Sequence, residues 1–105
     1  KTAFSCCGAA GFDAAACADG RTQWILCGME AHVCVLQTAI ELHARGLAVF
    51  VVDDAVCSRT DANHANAVSR LRQAGIVVSN TESVVFEWLR DATDPQLKAL
   101  SALIR

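Results

Sequence analysis

No run of lysine or arginine interrupts this chain of 105 residues, and its net charge is −2. A nucleic-acid partner is therefore not expected, because nothing here offers a basic stripe to a phosphate backbone. No apolar stretch reaches the roughly 20 residues that a helix needs to cross a bilayer, and no signal peptide is visible, so neither a membrane nor a secretion signal is expected. A C-x-x-C pair is also lacking, and His32, His43 and His64 do not fall at zinc-finger spacing, so no metal site is read. Charged residues make up only 19% of the chain against 53% hydrophobic. So small a globule cannot hide that much apolar surface, which implies a partner surface.

The six cysteines at positions 6, 7, 17, 27, 34 and 57 do not read as a disulfide framework. Cys27 lies in an apolar run and Cys57 ends another, and the loop-rich pattern of small secreted domains is missing. Reduced thiols in a cytoplasmic protein are expected. A chain of this length is one domain at most, 1–105, and just large enough to bury a core. Its start at Lys1 rather than Met reads as a fragment, a cleaved product or an incomplete chain.

The stretch from Trp24 to Ala39 organises the remainder. Trp24 to Cys27 reads as a buried strand that breaks at Gly28 and turns at once into a helix. Cys34 falls in the first turn of that helix, near unpaired backbone N–H groups and the positive end of the helix dipole. Both favour thiolate over thiol, and the same N–H groups can hold the oxyanion formed when a thiolate attacks a carbonyl. The pattern is that of a nucleophile elbow with cysteine in place of serine. Against this stands the ordinary role of cysteine as a small core residue.

At these residues the chain resembles a known family. Gly28-Met29-Glu30-Ala31-His32-Val33-Cys34-Val35, then Asp53-Asp54-Ala55-Val56-Cys57-Ser58-Arg59 and Glu82-Ser83-Val84-Val85-Phe86-Glu87, are similar to the isochorismatase-like cysteine hydrolases. That group includes nicotinamidases, N-carbamoylsarcosine amidohydrolases and isochorismatase-domain proteins. The resemblance implies an α/β hydrolase with an Asp–Lys–Cys triad, with Cys34 as nucleophile and Lys1 in the place of the catalytic lysine. It further implies an oxyanion hole from the backbone N–H groups of Glu30 and Cys34, and a non-proline cis peptide at Met29-Glu30. Phe4, Met29, Ala31 and His32 would form the site wall. No cofactor is implied.

Two departures from the family pattern stand out. The family's Asp comes from a first strand that precedes the lysine, so it is absent from these residues. Ala31 also replaces a threonine that many relatives carry. Isochorismatases proper lack the cysteine, so Cys34 points to the amidase-like branch. His32 stands two residues before Cys34. Such neighbours on a helix do not face each other, so His32 is read as part of the wall rather than as a proton shuttle.

Along the chain, Lys1 to Gly11 reads as loop and Phe12 to Ala18 as a short helix. A helix from His32 to Arg45 is capped by Gly46. The run Leu47 to Val52 reads as a second strand buried on both sides, closed by Asp53 and Asp54, of which one is expected to cap a turn and the other to be solvated. Thr60 is an N-cap for a helix over Asp61 to Ala74 with Ala67, Leu71 and Ala74 inside. His64 reads as a surface histidine. Ile76 to Ser79 is a third strand, followed by a helix from Thr81 through Leu89. Asp94-Pro95 opens a last helix whose Leu97, Leu100, Leu103 and Ile104 form an apolar stripe.

Strands alternating with helical crossovers predict a parallel three-layer α/β/α arrangement of Rossmann-like type. By the resemblance it is only the second half of a six-stranded sheet. The Trp24 edge then stands open, and a homo-oligomer or a companion chain is expected to supply the missing strands and the Asp. The favoured function is a cysteine-dependent hydrolase cleaving a C–N amide bond of a small molecule. The alternatives are an inactive structural or oligomerisation remnant of that family and a redox-sensing thiol protein.

Overall fold

The computed structural model describes residues 1–104; Arg105, the last residue of the expected domain, lies outside the described residues. After a 3-10 turn at Cys6–Gly8 come α1 (Phe12–Cys17), β1 (Gln23–Met29), a π-helical turn (Ala31–Val35), α2 (Leu36–Ala44), β2 (Ala48–Cys57), α3 (Asp61–Gln73), β3 (Val77–Ser79), α4 (Thr81–Leu89) and α5 (Leu97–Leu103). The three strands form one parallel sheet in the order β1-β2-β3. Parallel neighbours need crossovers, and α2 and α3 supply them, as the alternation of apolar runs with helical patterns predicts.

Register divides the sheet into rows that face opposite ways. Leu26, Val51 and Val78 are aligned across the three strands, as are Ile25, Phe50 and Val77. The first row faces the packed layer, where Val51 is fully buried together with Leu42 of α2 and Ala67 and Leu71 of α3. Phe12 of α1 extends this layer by packing against Trp24, with ring centroids 6.0 Å apart. The second row faces α4, which covers it only in part: Ile25 is 39% and Val77 52% exposed.

Several expectations are corrected here. An apolar β1 was expected to be buried on both faces, yet only Trp24 and Leu26 are half-buried and its other residues are exposed. Apolar composition cannot reveal that a strand lies at a sheet edge. β1 does not break at Gly28 but runs on to Met29, with a register shift between Leu26 and Gly28. Gly28 has φ 114°, a conformation open to glycine and costly for other residues. β2 continues through Asp53 and Asp54 to Cys57, because Val56 and Cys57 pair with Gly28 and Met29. Aspartate is depleted in strands, so the pair reads as a terminus until the partner is seen.

At the caps, Thr60 accepts from the Asn63 N–H, as expected. Ala74 lies past the helix end and is exposed rather than inward. His64 is half-buried rather than on the surface, with Nε2 donating to the Asp53 carbonyl at 3.1 Å. Pro95 is not the first residue of the last helix. Asp94 Oδ1 accepts from the Gln96 N–H in a preceding turn, and α5 begins at Leu97 with Gln96 as cap. Its Leu103 is 79% exposed, leaving the end of the apolar stripe uncovered.

Candidate active site

Cys34 sits in the turn that links the carboxyl end of β1 to α2, the edge at which open α/β sheets bind ligands. That turn is not the opening of a regular α-helix. The Glu30 carbonyl accepts from the N–H groups of Val33 (3.1 Å) and Val35 (3.2 Å), the second closing a five-residue π-type ring, a form found often at functional sites. Cys34 is half-buried and all six cysteines are free thiols. The Met29-Glu30 peptide is cis, at the position that the resemblance implied.

A threonine that the sequence did not single out ties the site together. Thr38 Oγ1 donates to the Cys34 carbonyl at 2.7 Å and accepts from the Cys6 N–H at 2.9 Å. Thr38 is buried, and so is Ser5, whose hydroxyl accepts from the Cys7 N–H. The segment that begins with Lys1 is thereby anchored to the helical turn bearing Cys34. Lys1 itself donates from Nζ to the carbonyls of Ala3 (2.7 Å) and Phe4 (2.6 Å). Phe4 and Met29 are 61% and 70% exposed, whereas Ala31 is wholly buried in the core.

Beyond the turn, the loop after β2 meets the residues before Cys34. Arg59 grips the Glu30 carboxylate through Nε (3.1 Å to each oxygen) and Nη2 (2.8 Å), and its backbone N–H reaches Oε2 at 3.4 Å. His32 Nδ1 lies 3.0 Å from Ser58 Oγ and 3.4 Å from Glu30 Oε2. The Arg59 hydrogen bonds hold the Glu30 carboxyl below its ordinary value of 4.5, and partial burial opposes them. Burial pushes the Cys7 thiol up. Asp54, expected to cap or to be solvated, accepts at Oδ1 from the Thr81 N–H and hydroxyl, and so fixes the start of α4.

A groove of about 1200 Å³ lies elsewhere. It runs between the amino-terminal half of β1 and α4, past Gln23, Ile25, Phe50, Phe86 and Trp88, and none of the candidate site residues lines it. Its wall is the partly covered face of the sheet, whereas Glu30 and Cys34 follow the carboxyl end of β1. Among the described residues no group of three or more His, Cys, Asp or Glu is placed to hold a metal, and no helix is long and apolar enough to cross a membrane.

A parallel α/β sheet with cysteine on the turn after an edge strand defines the class, and comparison with known proteins defines the family. The isochorismatase domain model matches residues 1–83, and the chain belongs to that family, whose isochorismatase-like members are generally hydrolases. Among relatives, a secreted isochorismatase effector, Isc1, of Phytophthora sojae is 45% identical over 85 residues, covering 81% of this chain and 40% of that protein. The structure of the MAR1 ribonuclease from Caenorhabditis elegans superposes with a TM-score of 0.85 at 38% identity, over 99% of this chain and 53% of that one. Nicotinamidase PncA from Bacillus subtilis gives a TM-score of 0.71 at 25% identity, over 76% and 44%. The chain thus spans about half the length of these solved structures, and less of the Isc1 relative.

Proposed function

We propose that this chain carries the nucleophile of a cysteine-dependent hydrolase that cleaves a C–N amide bond of a small molecule. The observation that carries the reading is the placement of Cys34 on a π-type turn directly after β1, at the carboxyl edge of a parallel sheet. In this reading the Cys34 thiolate attacks the amide carbon, and the backbone N–H groups of Glu30 and Cys34 receive the charge that develops on oxygen. Collapse expels ammonia or an amine and leaves a thioester, which water then clears. Lys1 serves as the cationic partner. A carboxylate from outside these residues moves the protons and comes with strands that pair along the open edge of β1, from a companion polypeptide or a longer chain. The nicotinamidase among the structural relatives supports the amide class, and the free thiols suit a reducing, cytoplasmic setting.

The test is Cys34→Ala in the assembled protein, assayed on small amides with RNA as a parallel substrate. Amide turnover should fall by at least about 1000-fold, as expected when a covalent nucleophile is removed, with the fold intact by circular dichroism. Retained amide turnover, or RNA cleavage in its place, would overturn the assignment. A second reading, an inactive remnant of the family, draws on one observation: Lys1 is turned onto the carbonyls of its own segment. It predicts no amide turnover by the unaltered assembly.

A further inference from the structure

Two cross-links join the loop after β2 to the turn before Cys34: Arg59 to Glu30 and Ser58 to His32. They flank the buried Ala31 on either side. The strands beneath are already in register at this point, with Met29 paired to Cys57. An exposed Arg–Glu pair is worth little as a source of stability, and the Arg59 side chain is 70% exposed. Its geometry is nevertheless specific, with both carboxylate oxygens engaged by the guanidinium and one of them also reached by the Arg59 N–H. A fork of this kind restrains orientation in a way that a point charge cannot.

We propose that Arg59 is a positioning residue for the oxyanion hole: through the Glu30 carboxylate it fixes the peptide N–H of Glu30 that faces the oxyanion in the Cys34 reaction. The inference rests on the hydrolase reading above. It separates two properties of the site, because Arg59 governs stabilisation of a tetrahedral oxyanion and not the nucleophilicity of the thiol.

Two probes of the same sulfur distinguish these properties. With iodoacetamide, the Cys34 thiolate displaces iodide from carbon, and no oxyanion forms. With p-nitrophenyl acetate it adds to the ester carbonyl, the oxyanion collapses, p-nitrophenolate leaves and an acetyl thioester remains on Cys34. Each rate is read at Cys34 by peptide mass, with the exposed Cys17 as internal reference. Arg59→Gln should slow acetylation of Cys34 by roughly tenfold to a hundredfold, in the range of damage to one oxyanion donor, while alkylation stays within about twofold. The preserved alkylation reports an intact turn, so a misfolded variant cannot mimic the result. Arg59→Lys, which keeps the charge and loses the fork, should fall nearly as far.

Equal losses in both reactions, no loss in either, or full activity of the lysine variant would each overturn the proposal. If Cys34 of the unaltered protein is alkylated but acetylated no faster than Cys17, the hydrolase reading itself fails, and the proposal falls with it.

Discussion

The two faces of the sheet are built from adjacent rows of the same strands and end in different states. The Leu26–Val51–Val78 row packs under α2 and α3, whose Leu42 and Leu71 are fully buried. One residue along each strand lies the Ile25–Phe50–Val77 row, of which Ile25 and Phe50 line a groove of about 1200 Å³ beside α4, whose Phe86 and Trp88 are 43% and 69% exposed. Both rows are equally apolar. The difference teaches that hydrophobic composition selects strands, while the number of covering layers decides whether their side chains contribute their full transfer energy, about 1.5–3 kcal/mol for each large one.

The largest test of that contrast is a pair of truncations. Leu71→Ala on the packed face should cost about 2–5 kcal/mol in urea unfolding, through lost transfer energy and a cavity that cannot collapse. Trp88→Ala on the open face should cost under about 1 kcal/mol in the same chain. Equal losses would mean that the open face is covered in solution. Next in size is Thr38→Val, which removes the hydroxyl that bridges the half-buried Cys6 N–H and the Cys34 carbonyl. About 1–3 kcal/mol is expected, and Cys6 should become more reactive to maleimide as its segment loosens. On the α4 side, Asp54→Ala removes the acceptor for Thr81 and should cost about 0.5–2 kcal/mol, as for loss of a helix cap.

The smallest effect concerns Glu30 and pH. Its folded pKa lies below the ordinary 4.5, so the stabilisation it provides is fully present above that value and is lost as pH falls through the depressed folded one. Acid unfolding curves of the native protein and Glu30→Gln should therefore differ above pH 4.5 and converge below it. A constant offset at all pH values would show that the Glu30–Arg59 pair contributes through packing and not through charge.

Much of the fold was legible because local signals agreed with it. The Thr60 cap and the alternation of elements are short-range patterns, and both stand where the residues predict, whereas the strand expected to break at Gly28 runs on to Met29. The extent of β2 was not legible, because Val56 and Cys57 are held in the strand by partners in β1 about 30 positions away. The same distance hid the site's supports. Thr38 reads as an ordinary helical threonine until Cys6 arrives beside it, and Arg59 only as the end of a motif until Glu30 does. Only the position of Cys34 could be read locally, since its turn is a matter of neighbouring residues. Its chemical partners beyond the turn are not.

By itself, then, the order of residues determined a parallel α/β unit with a cysteine at its carboxyl edge, because periodicity, glycine placement and caps act over a few residues. Only the tertiary structure decided which face of the sheet is closed, how far β2 runs and what braces the turn before Cys34. Those depend on which distant segments meet, and the free energy of such meetings is carried by no single stretch of the chain.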